Sequence, residues 1–267
     1  MRIPPELEPY VASLASYDVD LGAPGSHRGL PSSQLTLVLP ADDPLDVAWA
    51  GEPGSRTVAW SSVSGLHTGP ARIRHDGHQR GVQLALTPLG ARALLGMPAA
   101  ELAGRLLTLP DLAPALAPGL RHLPERLAET PHERRAALVA AALADQARRR
   151  APVALRPEVA RALALLARGR TVAATAAEVG YSRRHLAQLV RAETGLTPKQ
   201  LHRIGRFERS RDLLGRRRLA EVAAACGYAD QAHLTREWTA LAGCPPSAWI
   251  SEELPFVQDT AAAGAAR

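Results

Sequence analysis

The stretch TVAATAAEVGYSRRHLAQLVRAETGLTP, residues 171–198, decides how this chain is read. It is alanine-rich up to Gly180, turns at Gly180-Tyr181-Ser182, then carries Arg183 and Arg184 into a second apolar-periodic run. Alone, that describes a helical hairpin. A second copy follows: RLAEVAAACGYADQAHLTREWTALAGCPP, residues 218–246. Gly180-Tyr181 matches Gly227-Tyr228 at an offset of 47. Beyond the turn the offset is 48, so that Leu186 matches Leu234, Gly195 matches Gly243 and Pro198 matches Pro246. An offset that changes only at the turn, where insertion is best tolerated, marks a duplicated helix–turn–helix.

Each copy has the residues such a unit needs. The first helix is small-sided, with Ala173, Ala176 and Ala177 in one copy and Ala223, Ala224 and Ala225 in the other; these are expected to let the second helix cross closely. Gly180 and Gly227 stand where the helix end requires a left-handed backbone. Ser182 and Asp230 are suited to cap the second helix. There Leu186, Leu189 and Val190 share a face, as do Leu234, Trp238 and Leu241. The opposite face is polar: Arg183, Arg184, Gln188 and Arg191, then Gln231, Thr235 and Arg236. Arginine can pair with guanine O6 and N7, and glutamine with adenine N6 and N7. The plain alternative is two solvated faces. Two such faces in tandem, each after a Gly-Tyr turn, argue for a groove reader.

Charge supports this. Residues 1–155 hold 15 arginines against 15 acidic residues, whereas residues 156–250 hold 16 basic residues against 8. The formal charge of +6 therefore sits in the C-terminal part, as expected of one half that meets a polyanion. The two cysteines, Cys226 and Cys244, make no disulfide framework. Without an 18-residue apolar run or a signal-peptide layout at MRIPPELEPY, the expectation is a cytoplasmic protein with no membrane partner.

The N-terminal part alternates β-like runs, QLTLVL (34–39), LDVAWA (45–50), RTVAWSSV (56–63), ARIRH (71–75) and RGVQLAL (80–86), with turn chemistry at DDP, GEPGS, HTGP and HDGH. From Thr87 it turns helical, and residues 131–150 read as a long helix. The expected fold is an α+β domain, a small β-sheet or cupin-like barrel plus helices, over residues 1–150. A linker spans 151–156, and residues 157–250 form an all-α domain. A tail without pattern, 251–267, is expected to be disordered.

Residues 157–250 resemble the DNA-binding domain of the AraC/XylS family of bacterial transcription regulators. The resemblance is carried by AAEVGYSRRHLAQLVRAETGLTP (176–198), LHRIGRFERSRDLL (201–214) and EVAAACGYADQAHLTREWTALAGCPP (221–246). Val190 and Trp238 depart from the Phe usual in the family. Ala187 and Ala232 stand where some relatives place polar base-contacting residues. HDGHQRGVQLALTPLGARALLGMPAAELAG (75–104) looks like a recurring N-terminal region of AraC-like regulators.

The resemblance implies a double helix–turn–helix (homeodomain-like) module and a sequence-specific regulator, not an enzyme. Its two recognition helices would enter major-groove segments roughly 34 Å apart on double-stranded DNA. The residues it places at DNA are Ser182, Arg183, Arg184, Gln188, Arg191, Gln231, His233, Thr235 and Arg236. Arg203, Arg206, Arg209, Arg211, Arg216, Arg217 and Arg218 are expected to serve phosphates or structure. Glu208 and Asp212 are spaced to pair with arginines on their own helix. The N-terminal domain is expected to sense a small-molecule effector or to form a homodimer, with RNA polymerase as partner if the protein is an activator. A nonspecific DNA-binding or interaction protein without an effector is the alternative.

No cofactor or metal is expected. His67, His75 and His78, with Asp76, are read as surface or turn histidines, because HDGH is a turn and no Cys or Glu set follows. A cysteine-based alkyl acceptor is excluded, since residues 1–155 contain no cysteine. Cys226 is expected in the core and Cys244 in a turn. Gly90 and Gly96 are expected to pack and cap, not to bind phosphate.

Overall fold

Alternating apolar residues and tight turns build two antiparallel sheets in the N-terminal half. The computed structural model describes residues 2–151 and 154–252. One sheet has the order β1-β8-β3-β6-β9, with β1 Val11–Asp20, β3 Leu35–Pro40, β6 Ser62–Ser64, β8 His78–Leu86 and β9 Leu106–Leu107. The other has the order β2-β7-β4-β5, with β2 Gly25–Gly29, β4 Leu45–Trp49, β5 Thr57–Ala59 and β7 Ala71–His75. In β3, Leu35, Leu37 and Leu39 are fully buried, at the period of two that a strand with one core face demands.

One expectation needs correction. The run 56–63 is not one strand. It breaks at Trp60 into β5 and β6, which belong to different sheets, leaving Val58 and Trp60 exposed. The HDGH turn carries the chain from β7 across to β8 in the other sheet. Gly77 makes that crossing at φ +120°, where a Cβ would lie 2.1 Å from the Gly22 carbonyl oxygen.

Short helices follow: α1 Pro88–Gly90, running into a π turn at Ala91–Leu95, then α2 Ala99–Leu102, α3 Pro118–Arg121 and α4 Leu123–Ala128. The long α5, His132–Arg148, lays Val139 and Leu143 against the first sheet. Its buried Gln146 donates to the carbonyls of Leu94 and Ala115 and accepts from the Ala117 amide, so one side chain satisfies an irregular segment that has no sheet partner. Gly90 lies so near the Tyr10 carbonyl (2.1 Å from a built Cβ) that only glycine fits, and Gly96 caps the π turn at φ +84°.

The C-terminal helices are α6 Pro157–Ala167, α7 Val172–Glu178, α8 Arg183–Thr194, α9 Pro198–Arg211, α10 Leu219–Ala225, α11 Gln231–Ala242 and α12 Pro246–Glu252. Pro stands at the first turn of α6 and α9, and Thr197 with Gln200 forms a reciprocal capping box on α9. Residues 251 and 252 belong to α12, so helix extends into the stretch read as tail. The rest of that stretch, and linker residues 152 and 153, lie outside the described residues.

The core is divided in an informative way. One cluster runs without a break from Leu35, Leu84 and Leu143 through Ala162, Leu166, Leu186 and Val190 to Leu201 and Ile204. A separate cluster, with Phe207, Leu234, Trp238 and Trp249 at its centre, holds the last three helices. The N-terminal domain and the first helix–turn–helix therefore share one interior, while the second unit has its own.

Candidate nucleic-acid interface

The two copies fold alike, atom for atom in the places that set the turn. Gly180 and Gly227 have φ of +73° and +75°. The amide of Tyr181 donates to the Ala176 carbonyl at 3.0 Å, and that of Tyr228 to the Ala223 carbonyl at 2.9 Å. The Ser182 hydroxyl accepts from the His185 amide at 3.2 Å, and the Asp230 carboxylate from the His233 amide at 2.6 Å. Each tyrosine meets the histidine of the following helix edge-on, at 4.7 and 5.5 Å between centroids. α8 and α11 are both 12 residues long, and each ends on a left-handed glycine, Gly195 or Gly243. The extra residue of the second copy sits between Tyr228 and Asp230, where it disturbs no helix.

The small-sided faces pack differently from the expectation. Ala173, Ala177, Ala224 and Ala225 are exposed. The buried residues are Thr175 and Ala176 in α7, and Val222, Ala223 and Cys226 in and just after α10. Of the expected contact alanines, Ala176 and Ala223 are buried, and Thr175, Val222 and Cys226 pack beside them. Leu186, Val190, Leu234, Trp238 and Leu241 are buried as their spacing predicts, and Leu189 is half-buried.

On the outer face, Arg183, Arg184, Gln188 and Arg191 are exposed, as are Gln231 and Arg236. None of these four arginines carries an ion pair among the described residues. Three expected site residues also have structural work. Ser182 caps α8, Thr235 donates to the Gln231 carbonyl, and His233 Nδ1 accepts from the Ala229 amide. Because α8 and α11 begin at these caps, Arg183, Arg184 and Gln231 lie in their first turns, at the positive ends of the helix dipoles, while Gln188 and Arg236 lie further along and Arg191 is in the last turn of α8.

The connecting helix disposes of several arginines. Arg203 and Arg206 hold Glu237 of α11, at 2.9 and 2.6 Å. Arg206 also donates to the Gly227 carbonyl and lies 4.5 Å over the Tyr228 ring. Arg209 donates to the carbonyls of Arg168 and Ala225. Arg211 and Arg218 pair with Asp212 and Glu221, leaving Arg216 and Arg217 exposed. Glu208 does not pair along its own helix. It accepts from the Ser32 hydroxyl and the Ser33 amide of the N-terminal domain, at 2.8 and 3.1 Å. Helical spacing could name candidate partners but not a competitor from 175 residues away.

The N-terminal domain touches both units at the far ends of their second helices. Arg92 grips the buried Glu193 of α8 with a bidentate pair, N to O 2.8 Å. Gly195 lies against Ala100 and Ala103, and Gly243 against Pro70. Arg28 pairs with Glu252 at 2.8 Å.

The histidines are not all at the surface. His78 pairs with Asp18, but His67 is half-buried against the Trp49 ring, 4.3 Å between centroids, and His75 faces His27. No group of three or more His, Cys, Asp or Glu able to hold a metal occurs among the described residues. Burial pushes both His27 and His67 down to about 4, helped for His27 by the neighbouring His75 and opposed for His67 by its bond to the Gly69 carbonyl. A depressed histidine stabilises the fold above its unfolded value, near 6.5, and that contribution is lost as pH falls toward 4. The urea midpoint of the chain, followed by tryptophan fluorescence, should therefore fall between pH 7 and 4.5. A flat midpoint over that range would show that the two rings are not held neutral.

Residues 175–252 match the family model described as a helix-turn-helix domain. The match runs from within α7 to the end of α12 and so takes in both turns. Its fold is similar over nearly its whole length to ToxT from Vibrio cholerae: TM-score 0.51 at 10% identity, over 90% of this chain and 98% of that one. A ToxT structure bound to a naphthyl-substituted butenoic acid gives TM-score 0.50 at 10% identity over the same shares. The DNA-binding domain of the global transcriptional factor AdpA, in complex with a target DNA, is 23% identical over 37% of this chain and 97% of that one, with TM-score 0.33. No curated protein matches by sequence. Among the described residues, no helix is long and apolar enough to cross a membrane.

Proposed function

We propose that this chain is a sequence-specific transcription regulator of the AraC/XylS type that reads a two-block operator. Ser182, Arg183, Arg184, Gln188 and Arg191 serve one block, and Gln231, His233, Thr235 and Arg236 the other. The observation that carries the reading is the pairing of exposed, uncompensated Arg183 and Arg184 with exposed Gln231 at equivalent first turns of α8 and α11. The functional division follows: residues 1–150 sense or dimerise, 151–156 link, and 157–250 bind DNA. The end of α5 at Arg148 and the start of α6 at Pro157 support those limits.

A small-molecule effector has a place to bind in the N-terminal domain. An open cleft of about 450 Å³ lies between the two sheets, lined by Tyr17, Asp42, Asp43, Arg74, His75 and Arg80. Burial pushes the Tyr17 phenol further above its ordinary value. A polar ligand suits this lining. A homodimer and contact with RNA polymerase complete the reading for an activator.

Selection of binding sites from random duplex DNA tests the core of it. Two enriched blocks about one helical turn apart are expected. Salt-sensitive binding without enrichment would leave a nonspecific binder, unless residues 151–267 alone select a site, which would show a regulator held inactive by its N-terminal half. At the selected site, Arg184→Ala or Gln231→Ala should cost roughly 1–3 kcal/mol and relax preference at one base position. Equal weakening on every sequence would assign the side chain to phosphate instead.

A further inference from the structure

The two reading helices belong to different apolar cores, so something other than shared packing has to set the distance between them. The seam runs through α9. Leu201 and Ile204 lie in the core common to the N-terminal domain and the first unit, and Phe207, one turn on, lies in the core of the second. On the α6 side, Gly205 brings α9 against the end of α6: a Cβ there would lie 2.4 and 2.5 Å from the carbonyl oxygens of Ala167 and Leu166. One turn further along α9 is Arg209. Its Nη1 donates to the Arg168 carbonyl at 3.1 Å, and its Nη2 to the Ala225 carbonyl at 2.8 Å.

Those two acceptors are alike in kind. Arg168 follows the last residue of α6, and Ala225 is the last residue of α10. Terminal helix carbonyls lack partners inside their helix and carry the negative end of its dipole. A planar guanidinium holds two acceptors at a fixed separation, which an ammonium on a flexible stem does not. Gly169, at φ +73°, leaves the room: a Cβ there would come 2.5 Å from Nη1. Arg206 ties α9 to the second unit alone, through Gly227, Tyr228 and Glu237. Arg209 is bonded to the main chain of both.

We propose that Arg209 is the positioning residue that sets the spacing between the two DNA-reading helices, by clasping the C-terminal ends of α6 and α10 in one guanidinium. It acts through the two units and contacts no base. The proposal rests on the two-block reading above. Wobble at this joint should blunt discrimination between operators with different block spacing while leaving base preference within each block unchanged.

The experiment uses the full chain and the selected two-block duplex, together with duplexes whose blocks are moved together or apart by one base pair. Arg209→Met keeps the aliphatic stem and removes every donor; Arg209→Lys keeps the charge and loses the fork. Thermal unfolding reports whether each variant folds. Wild type is expected to prefer the native spacing. Both variants should narrow that preference about tenfold or more, Arg209→Lys no less than half as far as Arg209→Met on a logarithmic scale. Should Arg209→Met fail to fold, Arg209→Lys alone decides. Unchanged spacing preference in a folded variant overturns the proposal. So does equal weakening on all three spacings with a shallower salt dependence, which would make Arg209 a phosphate contact. If neither wild type nor residues 151–267 alone selects a two-block site, the operator reading has failed, and that is visible before any variant is made.

Discussion

Trp238→Ala is expected to lose about 3–5 kcal/mol of stability, the range for truncating a large buried aromatic side chain. It should also erase the second block of the operator while sparing the first. Trp238 is fully buried. Its ring lies 4.4 Å from Phe207 of α9 and 5.7 Å from Trp249 of α12, so it joins the recognition helix to both neighbours. The small separate core around it has little else of comparable size to close over a cavity. The first unit shares the larger interior and should keep its shape. Urea unfolding followed by tryptophan fluorescence measures the first effect, and site selection with the variant the second. Trp238→Phe is the informative partner. Trp238 Nε1 is buried with no acceptor among the described residues, so Phe removes an unsatisfied donor while keeping an aromatic ring at a position where the AraC/XylS resemblance anticipates Phe. Its cost should stay under about 1.5 kcal/mol. A Trp238→Ala protein as stable as wild type, still selecting both blocks, would refute this account of the second unit.

The second unit also shows what a sequence can display. Its turn was legible because the determinants are local: glycine for a left-handed backbone, Asp230 for a cap, leucines at helical spacing. The repeat then supplied an internal control, since whatever both copies keep is what the motif needs. The same locality explains the misses. Which alanine faces inward depends on a few tens of degrees of helix rotation: of Ala173, Ala176 and Ala177 only Ala176 is buried, beside Thr175. In the N-terminal half, β1 went unread because VASLASYDVD carries serines and aspartates along its half-exposed length, and β5–β6 was read as one strand because a change of sheet at Trp60 leaves no turn residue behind. The roles of Arg92, Arg209 and Glu237 rest on partners 16 to 101 positions away. No spacing rule reaches that far. A charged residue on a helix announces a partner without saying whose.

That same long reach makes Arg92→Ala the second large effect. Glu193 is 7% exposed, and the Arg92 guanidinium is its bidentate partner. Removing one member of a buried pair strands the other, at a cost of about 3–5 kcal/mol when both are fully buried. The Arg92 side chain is 35% exposed, so water can reach part of the vacated carboxylate, and about 2 kcal/mol is the expected loss here. Adding Glu193→Gln to Arg92→Ala should restore much of it, because an amide leaves no charge behind; a double-mutant cycle isolates the coupling. The effect on DNA follows from position. The contacts at Glu193, Gly195 and Gly243 fall at the C-terminal ends of the reading helices, whereas Arg183, Arg184 and Gln231 lie in their first turns. Breaking the pair should therefore lower the unfolding midpoint without altering which bases are preferred. Base preferences that change with Arg92→Ala would mean that the grip on Glu193 reaches the groove-facing turn and aims α8 in the groove.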